Sequence, residues 1–261
     1  MLTVSVCGAL ETPTCCPVKL KLAGLTLITG IDELTAAAKI DTVEATQSPW
    51  TPTGALATSL WGRTVDAAGN HSLLGKDAGQ PSDTQLVSPA LQVSPTDPFI
   101  VKISHAFALE GSAAAWFDGG VIELSADGGA SWADVATLGV DPGYTGTLSL
   151  GGDNPLEGRR AFSGRSPGFP ARNLLTLNFG TQFAGQAVQI RFRLVSDFCC
   201  NATGWTLDDI AVTGTVNKPF PGLVAETARC TALAPASEPA DSDVLEVRQM
   251  PFNSLDGVPV E

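Results

Sequence analysis

The sequence predicts an all-β protein, an antiparallel β-sandwich with short helical turns and extended N- and C-terminal flanks. Three observations carry that prediction. Short runs alternate apolar and polar residues, the period of a strand with one buried face. Glycine, proline, aspartate and asparagine separate the runs, with 27 Gly and 18 Pro in 261 residues. Little of the chain holds a helical period for three turns.

The strands come in order at residues 41–45, 85–93, 100–110, 121–125, 174–179, 186–195 and 205–212. In the third, Val101, Ile103, His105, Phe107 and Leu109 share one face and Lys102 and Ser104 the other, so His105 lies on the apolar side. The sixth is the cleanest: Val188, Ile190, Phe192 and Leu194 alternate with Gln189, Arg191 and Arg193. Polar outer faces suit two antiparallel sheets packed face to face. Residues 33–39 (ELTAAAK), behind Asp32 as a cap, predict one or two helical turns. From Val216 onward, six prolines and seven acids in 46 residues, without alternation, read as an extended strap.

Charge narrows the function. With 15 basic residues against 27 acidic ones and a pI near 4.5, the chain is repelled by phosphate, so nucleic acid and anionic membrane surfaces are excluded as general partners. No apolar run reaches the roughly 18 residues of a membrane span. Residues 1–10 (MLTVSVCGAL) lack the basic start and cleavage site of a signal peptide, so an export signal would lie upstream in a longer precursor. Cys7, Cys15, Cys16, Cys199, Cys200 and Cys230 form an even set. With no C-x-x-C, and only His71 and His105 to assist, zinc spacing is missing and disulfides are expected. The adjacent pairs Cys15–Cys16 and Cys199–Cys200 are expected to bond to distant cysteines, in one of the fifteen connectivities that six cysteines allow. Oxidised cysteines place the protein outside the cytoplasm, secreted or at the cell surface.

Residues 125–132 (SADGGASW) are the sharpest local signal. Asp127-Gly128-Gly129 supplies the backbone of a hairpin turn, the aspartate bonds nearby amides and Trp132 covers the turn. The segment resembles the Asp-box, S-x-D-x-G-x-x-W, a structural hairpin in the families that carry it. Extended outward, residues 116–132, Tyr144-Thr-Gly, residues 154–159 (NPLEGR), 161–164 (AFSG), 188–193 (VQIRFR) and 204–212 (GWTLDDIAV) occur in a familiar order, with Trp61 and residues 82–91 upstream. This order is similar to MAM-like, concanavalin-like jelly-roll modules attached to secreted bacterial metalloproteases of the fungalysin and immune-inhibitor-A types. The resemblance spans residues 40–216 and divides the chain into a cysteine-bearing flank (1–39), the sandwich (40–216) and a Pro- and acid-rich strap (217–261). Residues 217–226 with Cys230 resemble the segment C-terminal to such modules in those proteins.

The resemblance implies a jelly-roll fold and a non-catalytic accessory role in binding, adhesion or support of a neighbouring domain. It also implies a structural calcium between the first and last strands, with Asp41 or Glu44 and Asp208 or Asp209 at the matching positions. Alternation puts Asp208 with Ile210 and Val212, and Asp209 with Trp205 and Leu207, so one of the two must face an apolar layer. A buried carboxylate needs a cation or several amide donors, and both solutions are open.

No catalytic machinery is expected. The H-E-x-x-H of a zinc protease is missing, no serine-hydrolase elbow is expected, His105 reads as a hydrogen-bonded core residue and His71 as part of an exposed loop. Arg159, Arg160, Arg165 and Arg172 could bind acidic glycans, but pairing with the chain's own acids is the simpler expectation. Asn70-His-Ser72 and Asn201-Ala-Thr203 match the N-glycosylation pattern. The expected partners are an extracellular polymer, a surface protein or a neighbouring domain of the same precursor. Two other classes compete. A self-assembling fibre or surface-layer subunit would add its alternating segments at residues 2–6 or 18–22 to a neighbour's sheet edge. A glycan-active enzyme would need a carboxylate pair, for which Glu110, Asp118 and Glu123 are near strands but no pair is placed by spacing.

Overall fold

The structure, a computed structural model, describes residues 39–54, 61–112 and 114–220, and the backbone of residues 3–5, 18–21 and 28–29. The chain divides into two units, Met1–Arg229 and Cys230–Glu261, and the described residues belong to the first.

Near the N-terminus, β1 (Thr3–Ser5), β2 (Val18–Lys21) and β3 (Ile28–Thr29) pair with one another in an antiparallel sheet of three strands. The two segments that alternate in this flank thus find each other. The sandwich begins with β4 (Ile40–Asp41), β5 (Thr51–Gly54), β6 (Gly62–Val65), β7 (His71–Gly75), β8 (Ser82–Val87) and β9 (Leu91–Gln92). It continues with β10 (Phe99–Ala108), the short β11 (Gly111–Ser112) and β12 (Ala115–Trp116), β13 (Gly119–Ser125) and β14 (Ala133–Asp134). The strands β15 (Gly146–Thr147), β16 (Arg160–Ala161), β17 (Asn173–Gly180), β18 (Ala187–Ser196) and β19 (Gly204–Thr213) complete it. One sheet runs β17-β10-β19-β7-β6, with β4 beside β19, and the other runs β14-β13-β18-β8-β5, with β9 beside β18. From β7 the long strands are shared between the sheets: β7, β10, β17 and β19 lie in the first, β8, β13 and β18 in the second. The result is the antiparallel sandwich that the alternation predicts.

The predicted runs at 100–110, 121–125, 174–179, 186–195 and 205–212 become β10, β13, β17, β18 and β19. The run at 85–93 breaks at Ser88-Pro89-Ala90, because proline has no amide to give a ladder. The run at 41–45 ends after Asp41, where Val43 turns with φ +61° and its N–H is bound by the Asp41 carboxylate. Of the predicted helix at 33–39 only Lys39 is among the described residues. The helical element that is seen, a 3₁₀ turn at Val135–Leu138, is capped by the Asp134 carboxylate, which accepts the Ala136 N–H at 2.9 Å.

Inward residues of both sheets form one core. Trp205 is fully buried, with Trp61, Phe162 and Phe192 edge-on at 5.8, 5.4 and 5.7 Å between ring centres. Gly120 is required there, since a Cβ would stand 2.5 Å from the Trp205 ring. The start of the strap docks too: Phe220 stacks on Trp50, and Asn217 bonds the backbone of Gln92 and Ala90.

One departure from alternation matters for function. Where β10 pairs with β19 the register slips, so Asp209 and Ile210 together face Ile103, and Asp209 takes φ +45°. This bulge shifts the phase of β19, and Trp205, Leu207, Ile210 and Val212 are all buried. The expectation that one aspartate must enter the apolar layer is therefore corrected. One of the two is buried, as expected, but among polar partners: Asp208 is 3% exposed on the other face of the strand from Leu207, and Asp209 is exposed.

Candidate functional site

The residues expected to hold calcium lie where the first strand of the sandwich meets the last, with Asp41 opposite Ile210, and all but Asp209 have protein donors. Asp41 accepts the Trp50 indole N–H at 2.8 Å as well as the Val43 amide. Glu44 accepts the His71 amide at 3.0 Å and lies 2.7 Å from His71 Nδ1. Burial works to raise the Glu44 carboxyl, but the His71 bonds and the Arg63 charge outweigh it and hold the group below its ordinary range. Asp208 accepts the Asn70 side-chain amide at 2.9 Å and the Asp209 amide at 2.8 Å, with the Arg172 guanidinium 3.2 Å away. Burial still raises it. Three of these four carboxylates already have hydrogen-bond donors within the chain, and no three of them bring ligand oxygens together. His71 is half-buried on Glu44 rather than exposed in a loop, and Asn70 is engaged with Asp208. Among the described residues, the carboxylates that do converge are Glu110, Asp118 and Asp197.

The cysteine expectation needs correction as well. Cys199 and Cys200 are joined to each other, with Cys200 in the left-handed region at φ +60°. Cys7, Cys15, Cys16 and Cys230 lie outside the described residues.

The hairpin at residues 125–132 has the internal bonding that its residues predict. The Asp127 carboxylate accepts the Ser131 amide at 2.9 Å and the Ser125 hydroxyl at 2.7 Å, while Gly128 and Gly129 take φ +72° and +89°. Hydrogen bonds from Ser131 and Ser125 hold the Asp127 carboxyl down to about 2. Behind the hairpin, Glu123 is 3% exposed and bound by Arg159 at 2.9 Å and Arg191 at 2.7 Å. Arg159 also reaches Asp134 at 2.7 Å, and the Arg191 guanidinium lies 4.4 Å from the centre of the Trp132 ring. Burial and the Asp134 carboxylate raise the Tyr144 phenol, whose OH donates to Asp134. A groove of about 450 Å³ is lined by Glu123, Trp132, Asp134, Tyr144, Arg159 and Arg160 among others, but its charged groups are already bound within the chain.

The second groove differs. It measures about 390 Å³ and lies between Phe169, Pro170 and Arg172 and the side of β6, β7 and β19 that carries Thr64, Leu74 and Thr206. Phe169 is half-buried under the Arg165 guanidinium, and Arg172 reaches back to Asp208. The Thr64 and Thr203 hydroxyls have no hydrogen-bond partner among the described residues. The groove thus joins apolar walls to open hydroxyls, the usual make-up of a small polar-ligand site.

Neither histidine is hydrogen-bonded to a nucleophile among the described residues. His105 Nδ1 accepts the Trp205 indole N–H at 3.2 Å inside the core, and burial pushes the imidazole down to about 4. His71 is held on Glu44. Gly164-Arg165-Ser166-Pro167-Gly168 has the G-x-S-x-G spacing of a hydrolase elbow, which the sequence reading missed. It is no elbow. Ser166 is 4% exposed, its Oγ accepts the Phe107 amide at 3.1 Å, and Pro167 lacks the N–H that an oxyanion hole takes from that position.

These features define a class: an antiparallel β-sandwich with a preformed surface groove and no assembled catalytic set among the described residues. No protein-family model matches the chain, and no curated protein matches it. Among solved structures, it is similar to the K1 cleaved adhesin domain of Lys-gingipain from Porphyromonas gingivalis, at 13% identity and TM-score 0.38, over 67% of this chain and 96% of that one. It is also similar to the module TmCBM61 in complex with β-1,4-galactotriose, at 12% identity and TM-score 0.37, over 64% and 89%. A third similarity is to a carbohydrate-binding module of the β-sandwich superfamily, at 11% identity and TM-score 0.37, over 67% and 61%.

Proposed function

We propose that the chain is a non-catalytic extracellular β-sandwich module that binds a polymer, with a polysaccharide as the ligand class. The observation that carries this reading is the groove beside Phe169, where the Thr64 and Thr203 hydroxyls are open. An aromatic wall with hydroxyls and one guanidinium suits a sugar ring, which presents an apolar face and a rim of OH groups. The joined Cys199–Cys200 pair supports an oxidising compartment. Support for a MAM-like accessory unit comes from the way its motif residues meet: Arg159 of NPLEGR binds Glu123 and Asp134 of the hairpin, and Phe162 packs on Tyr144 at 5.0 Å.

The test is binding to a panel of immobilised polysaccharides. Phe169→Ala and the double variant Thr64→Ala/Thr203→Ala should weaken binding at least about tenfold with Tm unchanged, and Trp132→Ala should not. Binding that survives both groove variants, or no binding across the panel, removes the reading. A self-assembling subunit is the second reading, and it draws on Leu174, 70% exposed on the edge strand β17. A concentration-independent monomer in sedimentation would remove that one.

A further inference from the structure

Four strand ends from both sheets bring carboxylates to one place. Asp77 lies just after β7, Glu110 just after β10, Asp118 just before β13 and Asp197 just after β18. Glu110, Asp118 and Asp197 each offer an oxygen, and the three oxygens lie within 4.8 Å of one another. Asp77 organises the group: its Oδ2 accepts the amides of Glu110 at 3.1 Å and Ala202 at 2.9 Å, and its Oδ1 the Ser196 hydroxyl at 3.0 Å. Asp118 is wholly buried, with Oδ1 on the Asp197 amide at 2.7 Å. Its other oxygen, Oδ2, has no partner, and neither has the buried Glu110 Oε2. Asp197 Oδ1 accepts the Cys199 amide at 3.0 Å, so the loop carrying the joined cysteines closes over the cluster.

Among the described residues no Lys or Arg forms an ion pair with any of the four. Burial and the Asp77 carboxyl push Asp118 up to about 10, and burial with Asp197 and Asp77 raises Glu110. Orphaned oxygens facing one another without a positive charge are what a hard cation relieves. The donors are all oxygen, with no thiol or imidazole in the set, which selects calcium over zinc, and magnesium dehydrates too reluctantly to suit a buried cage.

We propose that Glu110, Asp118 and Asp197, positioned by Asp77, bind one calcium ion that ties the ends of the two sheets together. This site is separate from the groove and from the Asp41, Glu44, Asp208 and Asp209 positions. The rival explanation is a proton held between Asp118 and Asp77, which needs no metal. The experiment strips the protein of metal and titrates it with calcium alone, magnesium alone and zinc alone, reading stoichiometry by equilibrium dialysis and Tm by calorimetry. One calcium per chain is expected, with a Tm rise of roughly 5–10 °C at about a hundredfold excess over Kd, and a smaller response to magnesium. Asp118→Asn should fold in chelator with a Tm at or above that of the stripped parent, because it removes a buried acid, and should lose the calcium response. Asp41→Asn should keep it. No bound calcium in the parent, or a calcium response that survives Asp118→Asn, overturns the site.

Discussion

Asp118 and Glu123, buried acids at the entrance to β13 and within it, are 0% and 3% exposed and lie in opposite surroundings. Glu123 faces Arg159, Arg191 and, at 3.8 Å, Arg193, so the chain supplies its own counter-charge. Asp118 faces Asp77, Glu110 and Asp197. The lesson is that burial alone does not say what a carboxylate is for; the sign of what surrounds it does. A cage of arginines is complete as folded, whereas a cage of acids asks for something from solution.

The same substitution, acid to amide, should therefore act with opposite sign at these two positions. Glu123→Gln should destabilise by about 3 kcal/mol in urea unfolding, at the low end for a broken buried pair. The cost is limited because Arg159 keeps Asp134, Arg193 keeps Asp83 and Arg191 keeps Gln85. If Glu123→Gln and metal-free Asp118→Asn both destabilise by similar amounts, the contrast fails. His105 sharpens it as a buried group whose shift comes from burial alone. Its imidazole titrates at about 4 in the fold against about 6.5 when unfolded, so between those values only the unfolded chain takes the proton. Stability should be whole above pH 6.5 and fall as pH drops, by about 2 kcal/mol between pH 7 and 5. His105→Phe should remove that part of the slope; an unchanged pH profile would show that His105 is not neutral in the core. The smallest effect belongs to Asp127, which is exposed: Asp127→Asn should lower Tm by no more than about 2 °C, read by calorimetry.

Much of the sandwich was legible because alternation is local. Residues 186–195 announce β18, and Asp127-Gly128-Gly129 announces its hairpin, from a few neighbours each. The candidate sites were less so. The bulge at Asp209–Ile210 adds one residue to β19, and strict period-two reasoning then sends an aspartate into the wrong layer. Asp77, Glu110, Asp118 and Asp197 meet only because four strand ends come together, and no spacing along the chain records that. The groove beside Phe169 is likewise a product of a loop folding onto strands distant in sequence. Cys199–Cys200 was misassigned for another reason: adjacency argues against a bond until the backbone at Cys200 is known.

The crossing of the chain between sheets has a kinetic consequence. Ile100 pairs with Thr213 and Gly119 with Val195, whereas Glu123 and Asp134 in the β13–β14 hairpin are near neighbours in sequence. Contacts so remote in sequence close late and slowly, and the central pair of the first sheet cannot form until β19 is present. The sandwich therefore closes only once β19, the last strand among the described residues, is available to both β10 and β7.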